Sequence, residues 1–227
     1  VQLKNTNHQI SETLRNDEVY AGIILEKGED TLRERMEDLE CWNLVGDGTK
    51  RDYVIQILEI VSFINRKGFV WRDVKPSNFV FFKYGKVEIL KAIDFETSME
   101  RNKEPIADTR CTSFYTPPEM SRLYLLDDFS NTSHYIDEQY DAWSIGMIIL
   151  EIFDGKIYFE FERNGDHERF AKSLDHNDIL ERIADDTFLF DLRDHIEKKY
   201  KYKNGPWYLI LKSLLCSISD RKSATYI

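Results

Sequence analysis

The stretch Tyr140–Phe153 (YDAWSIGMIILEIF) is apolar almost all the way round when drawn as a helix. Such a helix must be covered on every side, so it belongs at the centre of a helical domain. Other segments can form that cover. Tyr53, Val54, Ile57, Leu58, Ile60, Val61 and Ile64 recur at helical spacing and predict a long amphipathic helix ending near Gly68. Helical patterns also run around Ile179–Ala184, Phe190–Lys199 and Trp207–Ser217, and a charged helix over Thr31–Glu40 puts Leu32, Met36 and Leu39 on one side. A chain of 227 residues can bury one good core, or one large lobe plus fragments of another.

Strands are few and short. Val1–Lys4 and Tyr20–Glu26 read as two of them, and Phe79–Phe82 and Val87–Ile93 as a hairpin turning at Tyr84-Gly85. From Asp94 to Glu119 the chain is irregular. Gly46-Asp47-Gly48-Thr49-Lys50 lacks the spacing of a phosphate loop and reads as a turn between two helices. The fold class is therefore mainly α, a helical domain with a short β-hairpin.

Composition removes several classes. Apolar residues make up 42% and charged residues 32%, a globular balance. The net charge of −10 argues against a general nucleic-acid or anionic-membrane surface. The run Ile145–Leu150 is too short to cross a bilayer, and no signal-peptide pattern opens the chain. Cys41, Cys111 and Cys216 lie far apart without CxxC spacing and read as reduced thiols of an intracellular protein, cytoplasmic or nuclear.

The chemistry concentrates around the hairpin. Trp71-Arg72-Asp73-Val74-Lys75-Pro76-Ser77-Asn78 precedes it and Asp94-Phe95 follows it. A carboxylate, a lysine, an amide and a second carboxylate at these offsets suit phosphoryl transfer: a base for a hydroxyl, a cation for the phosphate, and two oxygen ligands for Mg²⁺. This constellation resembles the catalytic and metal-binding loops of eukaryotic protein kinases, His-Arg-Asp-x-Lys-Pro-x-Asn and Asp-Phe-Gly. Three further segments carry the same resemblance. Cys111–Glu119 is similar to the end of the activation segment, Asp141–Gly146 to the start of the central buried helix, and Ser219–Ala224 to a late Asp-Pro-x-x-Arg-Pro-Ser-Ala pattern.

The resemblance implies a protein-kinase-like C-lobe over residues 31–227, with residues 1–30 a remnant of N-lobe strands and hinge. It implies ATP and Mg²⁺ as cofactors, and a protein Ser/Thr hydroxyl as acceptor. Asp73 would be the base, Lys75 the cation beside the phosphate, Thr112 its partner, and Asn78 and Asp94 the metal ligands. Lys75 followed by Pro76 looks like the serine/threonine branch. Thr116 stands where proline-directed kinases carry Arg, and Ser77 where several base-preferring kinases carry Glu. Leu25, Glu26, Gly28, Leu32 and Val80 would meet the nucleotide, with Leu25 as gatekeeper. Arg72 would face an activation-loop charge, Asp108 or phosphorylated Thr109. Glu119 should pair with Arg221, and Asp141 should hold the catalytic loop as well as cap its helix.

Three departures stand beside these matches. The chain opens at Val1 without the glycine loop and lysine–glutamate pair of a small lobe, so the N-lobe of a longer parent is the expected partner. Trp71 replaces the motif His. Glu96 replaces the glycine after Asp94-Phe95, adding a carboxylate near the metal site. A truncated kinase or pseudokinase that scaffolds a partner is the alternative. A small-molecule phosphotransferase shares the Asp/Asn/Asp logic but not the Thr112–Glu119 segment.

Overall fold

The computed structural model describes residues 25–101, 111–126, 137–160, 175–201 and 206–227. The helices are α1 (Leu32–Glu37), α2 (Leu39–Leu44), α3 (Asp47–Arg66), α4 (Pro118–Leu126), α5 (Glu138–Asp154), α6 (His176–Ala184), α7 (Asp186–Tyr200) and α8 (Pro206–Leu214). The strands are β1 (Phe69–Val70), β2 (Phe79–Tyr84), β3 (Val87–Ala92) and β4 (Met99–Glu100). Among the described residues they form two antiparallel pairs, β1 with β4 and β2 with β3.

Helix α5 lies in the centre, as its apolar circumference requires. Trp143, Ile145, Ile148, Leu150 and Ile152 have essentially no exposed surface. They share one core with Val54, Ile57 and Val61 of α3, Phe188, Leu192 and Ile196 of α7, and Leu211 and Leu214 of α8. Each fully buried side chain of this kind contributes roughly 1.5–3 kcal/mol relative to exposure. The C-terminal end of α5 carries Asp154, an acid at the wrong end of the helix dipole. Burial opposes its charge, yet donors from His195, Lys199 and Tyr200 hold its carboxyl below the usual range.

The hairpin turns through Gly85 and Lys86, with Tyr84 paired to Val87 and Phe79 to Ala92. Gly85 has φ of +65°, which a two-residue hairpin loop with glycine in first place demands. Beneath it, Arg35 lies over the Phe81 ring at 3.5 Å and grips Glu88 with both guanidinium nitrogens, at 2.7 and 2.8 Å. The hairpin is thereby tied to α1.

Several sequence expectations need correction. The helix expected over Thr31–Glu40 breaks at Asp38, whose carboxylate caps a new helix by accepting the Cys41 N–H. Leu39 consequently turns out to solvent while Leu32 and Met36 stay buried. Gly46–Lys50 is no turn: Gly46 is the N-cap of α3 and Asp47–Lys50 its first turn. Lys50 lies over the Trp42 ring, where its aliphatic stem is covered. Leu25 and Glu26 are not in a strand; the chain joins the hairpin further on, through Glu29, Asp30 and Thr31. The rest of the Tyr20–Glu26 strand, and Val1–Lys4, lie outside the described residues. Strand β4 lies within the segment expected to be irregular, and β1 in the short stretch between α3 and Trp71 for which no element is expected.

Candidate active site

The catalytic loop is held from below by one carboxylate. Asp141, with no exposed surface, accepts the backbone N–H of Trp71 at 2.9 Å and of Arg72 at 2.8 Å, and the Asn65 amide at 2.8 Å. It does not cap α5, however; Asp137 does, through the Gln139 N–H. Arg72 and Asp94 adopt positive φ, 69° and 61°. Non-glycine residues rarely do so, and each such residue costs on the order of 1–3 kcal/mol unless its surroundings enforce it. For Arg72 the bond to Asp141 supplies the enforcement. The two strained residues flank the candidate chemistry on either side of the hairpin.

Burial pushes the Asp141 carboxyl up to about 6, against the stabilising bonds from Trp71, Arg72 and Asn65. A carboxyl with a higher pKa folded than unfolded takes up protons on folding. Its contribution to stability is complete below its ordinary value near 3.8 and is lost as pH rises through about 6. The stability difference between wild type and Asp141→Asn should therefore shift against wild type between pH 4 and pH 7. Denaturant unfolding at several pH values measures it, and a constant difference would refute the elevated pKa.

Above this support, the expected residues meet. The Lys75 ammonium lies 2.7 Å from Asp73 Oδ2 and donates to the Thr112 hydroxyl at 3.2 Å. The Thr112 hydroxyl donates to Asp73 Oδ1 at 2.8 Å. Asn78 Nδ2 donates to the Asp73 carbonyl at 2.8 Å and to Oδ2 at 2.9 Å. Both carboxylate oxygens of Asp73 are thus fixed in direction. An open cavity of about 230 Å³ is lined by Asp73, Lys75, Asp94, Glu96, Thr97, Cys111 and Thr112. Asn78 is buried and is not part of that lining. It adjoins Asp94 through the backbone, since the Ile93 N–H donates to the Asn78 carbonyl at 3.0 Å.

Trp71 does more than fill the place of a histidine. Its ring stacks on Phe95 with centroids 5.1 Å apart, and its indole N–H donates to the Asp94 carbonyl at 2.7 Å. The Thr97 hydroxyl returns a bond to the Trp71 carbonyl at 3.0 Å. One indole therefore fastens the catalytic loop to the Asp94 loop. Burial pushes the neighbouring Cys111 thiol up to about 11, which keeps it protonated.

The nucleotide-side expectations fall on the segment before α1. Gly28 packs against the hairpin so closely that an added Cβ would meet Val80 Cγ1 at 2.2 Å. Leu32 has no exposed surface, Val80 is almost covered, and Leu25 is 74% exposed. Glu26 is engaged by the Tyr84 hydroxyl at 2.7 Å and the Lys91 ammonium at 2.5 Å. Arg72 is buried and reaches the Thr97 carbonyl at 3.4 Å, while Asp108 and Thr109 lie outside the described residues. Glu119 and Arg221 form the expected pair, at 2.6 and 3.1 Å.

A second polar group escaped the sequence reading. Arg33 of α1 reaches Glu151 of α5 at 2.5 and 3.2 Å, and both bond the Tyr115 hydroxyl. The one available signal was Glu151 itself, a charge inside an apolar helix.

The loop of Asp73, Lys75 and Asn78, Asp94 beyond the hairpin and the buried central helix stand together as the protein-kinase resemblance implies. A family model of the protein kinase domain matches residues 3–226, and the chain belongs to that family. It is 31% identical over 157 residues to the serine/threonine-protein kinase MAK of Rattus norvegicus, covering 66% of this chain and 23% of that protein. It is 29% identical over 148 residues to the dual specificity protein kinase zak2 of Dictyostelium discoideum, covering 61% and 20%. These matches span about a fifth of each relative's length. Among solved structures, the crystal structure of the yeast RNA Pol II CTD kinase CTDK-1 complex matches with a TM-score of 0.65 at 18% identity. That likeness covers 96% of this chain and 72% of the other, and it shows the shared fold.

Proposed function

We propose that residues 31–227 are the large lobe of a serine/threonine protein kinase that transfers the γ-phosphoryl group of ATP to a protein hydroxyl. The observation that carries this reading is the Asp73 carboxylate, oriented by Lys75, Thr112 and Asn78 at the wall of a cavity that Asp94 also lines. Asp73 would accept the proton of the acceptor hydroxyl. Lys75 would release its hold on Asp73 and face the transferring phosphate. Thr112 would keep the carboxylate pointed at the acceptor. Leu25, Glu26, Gly28, Leu32 and Val80 would border the adenine, with the lid over the phosphates supplied by a small lobe beyond these residues.

The donor set fits magnesium. Asn78 spends its amide nitrogen on Asp73, leaving its carbonyl oxygen for a hard cation. Among the described residues, Asp94 meets no cation in any ion pair, and no group of three or more acidic, His or Cys side chains could hold a metal. Two protein oxygens completed by phosphates is how magnesium is usually held in such sites. Asn78 and Asp94 would hold the ion, whose chemistry there would be neutralisation of charge on the phosphates.

Among the described residues no helix is long and apolar enough to cross a membrane. A scaffold without catalysis is the second reading. Glu96 favours it, because its carboxylate lines the same cavity and repels phosphate.

Thermal shift of the full-length protein with Mg·ATP separates the two. At a hundredfold excess over Kd, nucleotide should stabilise by about 2.7 kcal/mol, or several degrees. Asp94→Asn should abolish the magnesium-dependent part. Neither magnesium-dependent stabilisation nor autophosphorylation would leave only the scaffold.

A further inference from the structure

We propose that Arg33 is a positioning residue for the acceptor side of the transfer, a proposal that rests on the kinase reading above. Its guanidinium closes a triangle between three elements. Two nitrogens hold the two oxygens of Glu151, at 2.5 and 3.2 Å. One of them also donates to the Tyr115 hydroxyl, which in turn donates to Glu151 at 2.6 Å. Glu151 and Tyr115 are almost fully buried, and Arg33 keeps 22% of its side-chain surface. Burial holds the Tyr115 phenol well above its ordinary pKa, so it is a neutral donor and acceptor here.

Tyr115 ends a 3₁₀ turn, Ser113–Tyr115, that follows directly on Thr112. Its N–H donates to the Thr112 carbonyl at 3.0 Å, and its own carbonyl accepts from the Ser144 hydroxyl at 2.8 Å. Thr112 holds Asp73 Oδ1. An unbroken line of bonds thus runs from Arg33 through Tyr115 and Thr112 to the base. The line reaches Asp73 at Oδ1, through the Thr112 hydroxyl that would keep the carboxylate pointed at the acceptor.

Stability alone is a poor reason for such a triangle. Buried ion pairs replaced on both sides by apolar groups commonly cost nothing, whereas a directional triangle fixes the height and tilt of the Tyr115 ring. A displacement of about 1 Å near the reacting atoms can cost about 10²-fold in rate. Arg33 touches no reacting atom; it acts through Tyr115.

The deciding variant removes both charges. In the full-length protein, Arg33→Met/Glu151→Leu should stay folded, melting lower than wild type only by the few degrees that a Tyr115 hydroxyl left without partners costs. It should nevertheless lower kcat for a protein acceptor about 10–100-fold, with the KM for ATP within about twofold of wild type. Hydrogen exchange should show amides of residues 112–116 losing protection, while those of Trp71 and Arg72 keep theirs. Arg33→Lys, which retains one bond to Glu151, should recover part of kcat. A double variant with wild-type kcat would overturn the proposal and leave the triangle a structural brace. So would a kcat that falls only with the folded fraction. If wild type itself transfers no phosphate from Mg·ATP, the kinase reading falls first and this one with it, a result distinct from an active wild type matched by an active double variant.

Discussion

Asp73→Asn should lower phosphate transfer to a protein acceptor by about 10²–10⁴ while leaving the fold intact. The separation of the two effects follows from the local bonding. Asp73 Oδ2 faces two donors, Lys75 and Asn78, and Oδ1 faces the Thr112 hydroxyl. An asparagine can place its carbonyl oxygen toward the two donors and its amide toward Thr112, whose hydroxyl turns to accept. What it cannot do is take a proton. The ion pair with Lys75 is lost, but Lys75 is 24% exposed and keeps Thr112, so the cost is that of a partly solvated pair. Single-turnover transfer alongside a thermal melt would measure both. A variant that transfers phosphate at the wild-type rate would mean that Asp73 is not the base.

How far this site could be read in advance depended on sequence distance. Asp73, Lys75, Asn78 and Asp94 are legible because one loop and one hairpin hold them, so spacing alone fixes their neighbourhood. Helix α5 was legible because its apolar circumference admits only a central place. The break at Asp38 was not, because the residues on both sides favour helix and only the cap geometry separates them. The β1–β4 pair is too short for alternation to show. The capping role of Asp137 was obscured because Asp141, four residues on, fits the same pattern. Arg33, Tyr115 and Glu151 come from segments up to 118 residues apart, and no local periodicity brings them together. The buried charge of Glu151 implied a partner without saying where.

The Glu119–Arg221 pair shows what such a contact is worth once it is buried. Glu119→Ala should destabilise the domain by about 3–5 kcal/mol, a fall of roughly 6–20 °C in melting temperature for a chain of this size. The Arg221 side chain has no exposed surface, and Glu119 supplies its two shortest charged contacts, at 2.6 and 3.1 Å. The Cys216 and Gln139 carbonyls, at 2.9 and 3.2 Å, and the Trp143 ring, 4.8 Å away, would remain, but none of them carries a full negative charge. The guanidinium can neither shed its proton nor reach water. Removing both partners avoids that penalty, so Glu119→Leu/Arg221→Met should recover most of the loss. Lys198 and Asp194 of α7 provide the contrast: their pair is 2.5 Å long, yet the side chains are 76% and 47% exposed. Lys198→Ala should cost less than about 1 kcal/mol, because solvent screens that pair and α7 does not depend on it. If Glu119→Ala melts within about two degrees of wild type, the guanidinium reaches water after all, and the end of the activation segment is not anchored to the C-terminal loop as its geometry requires.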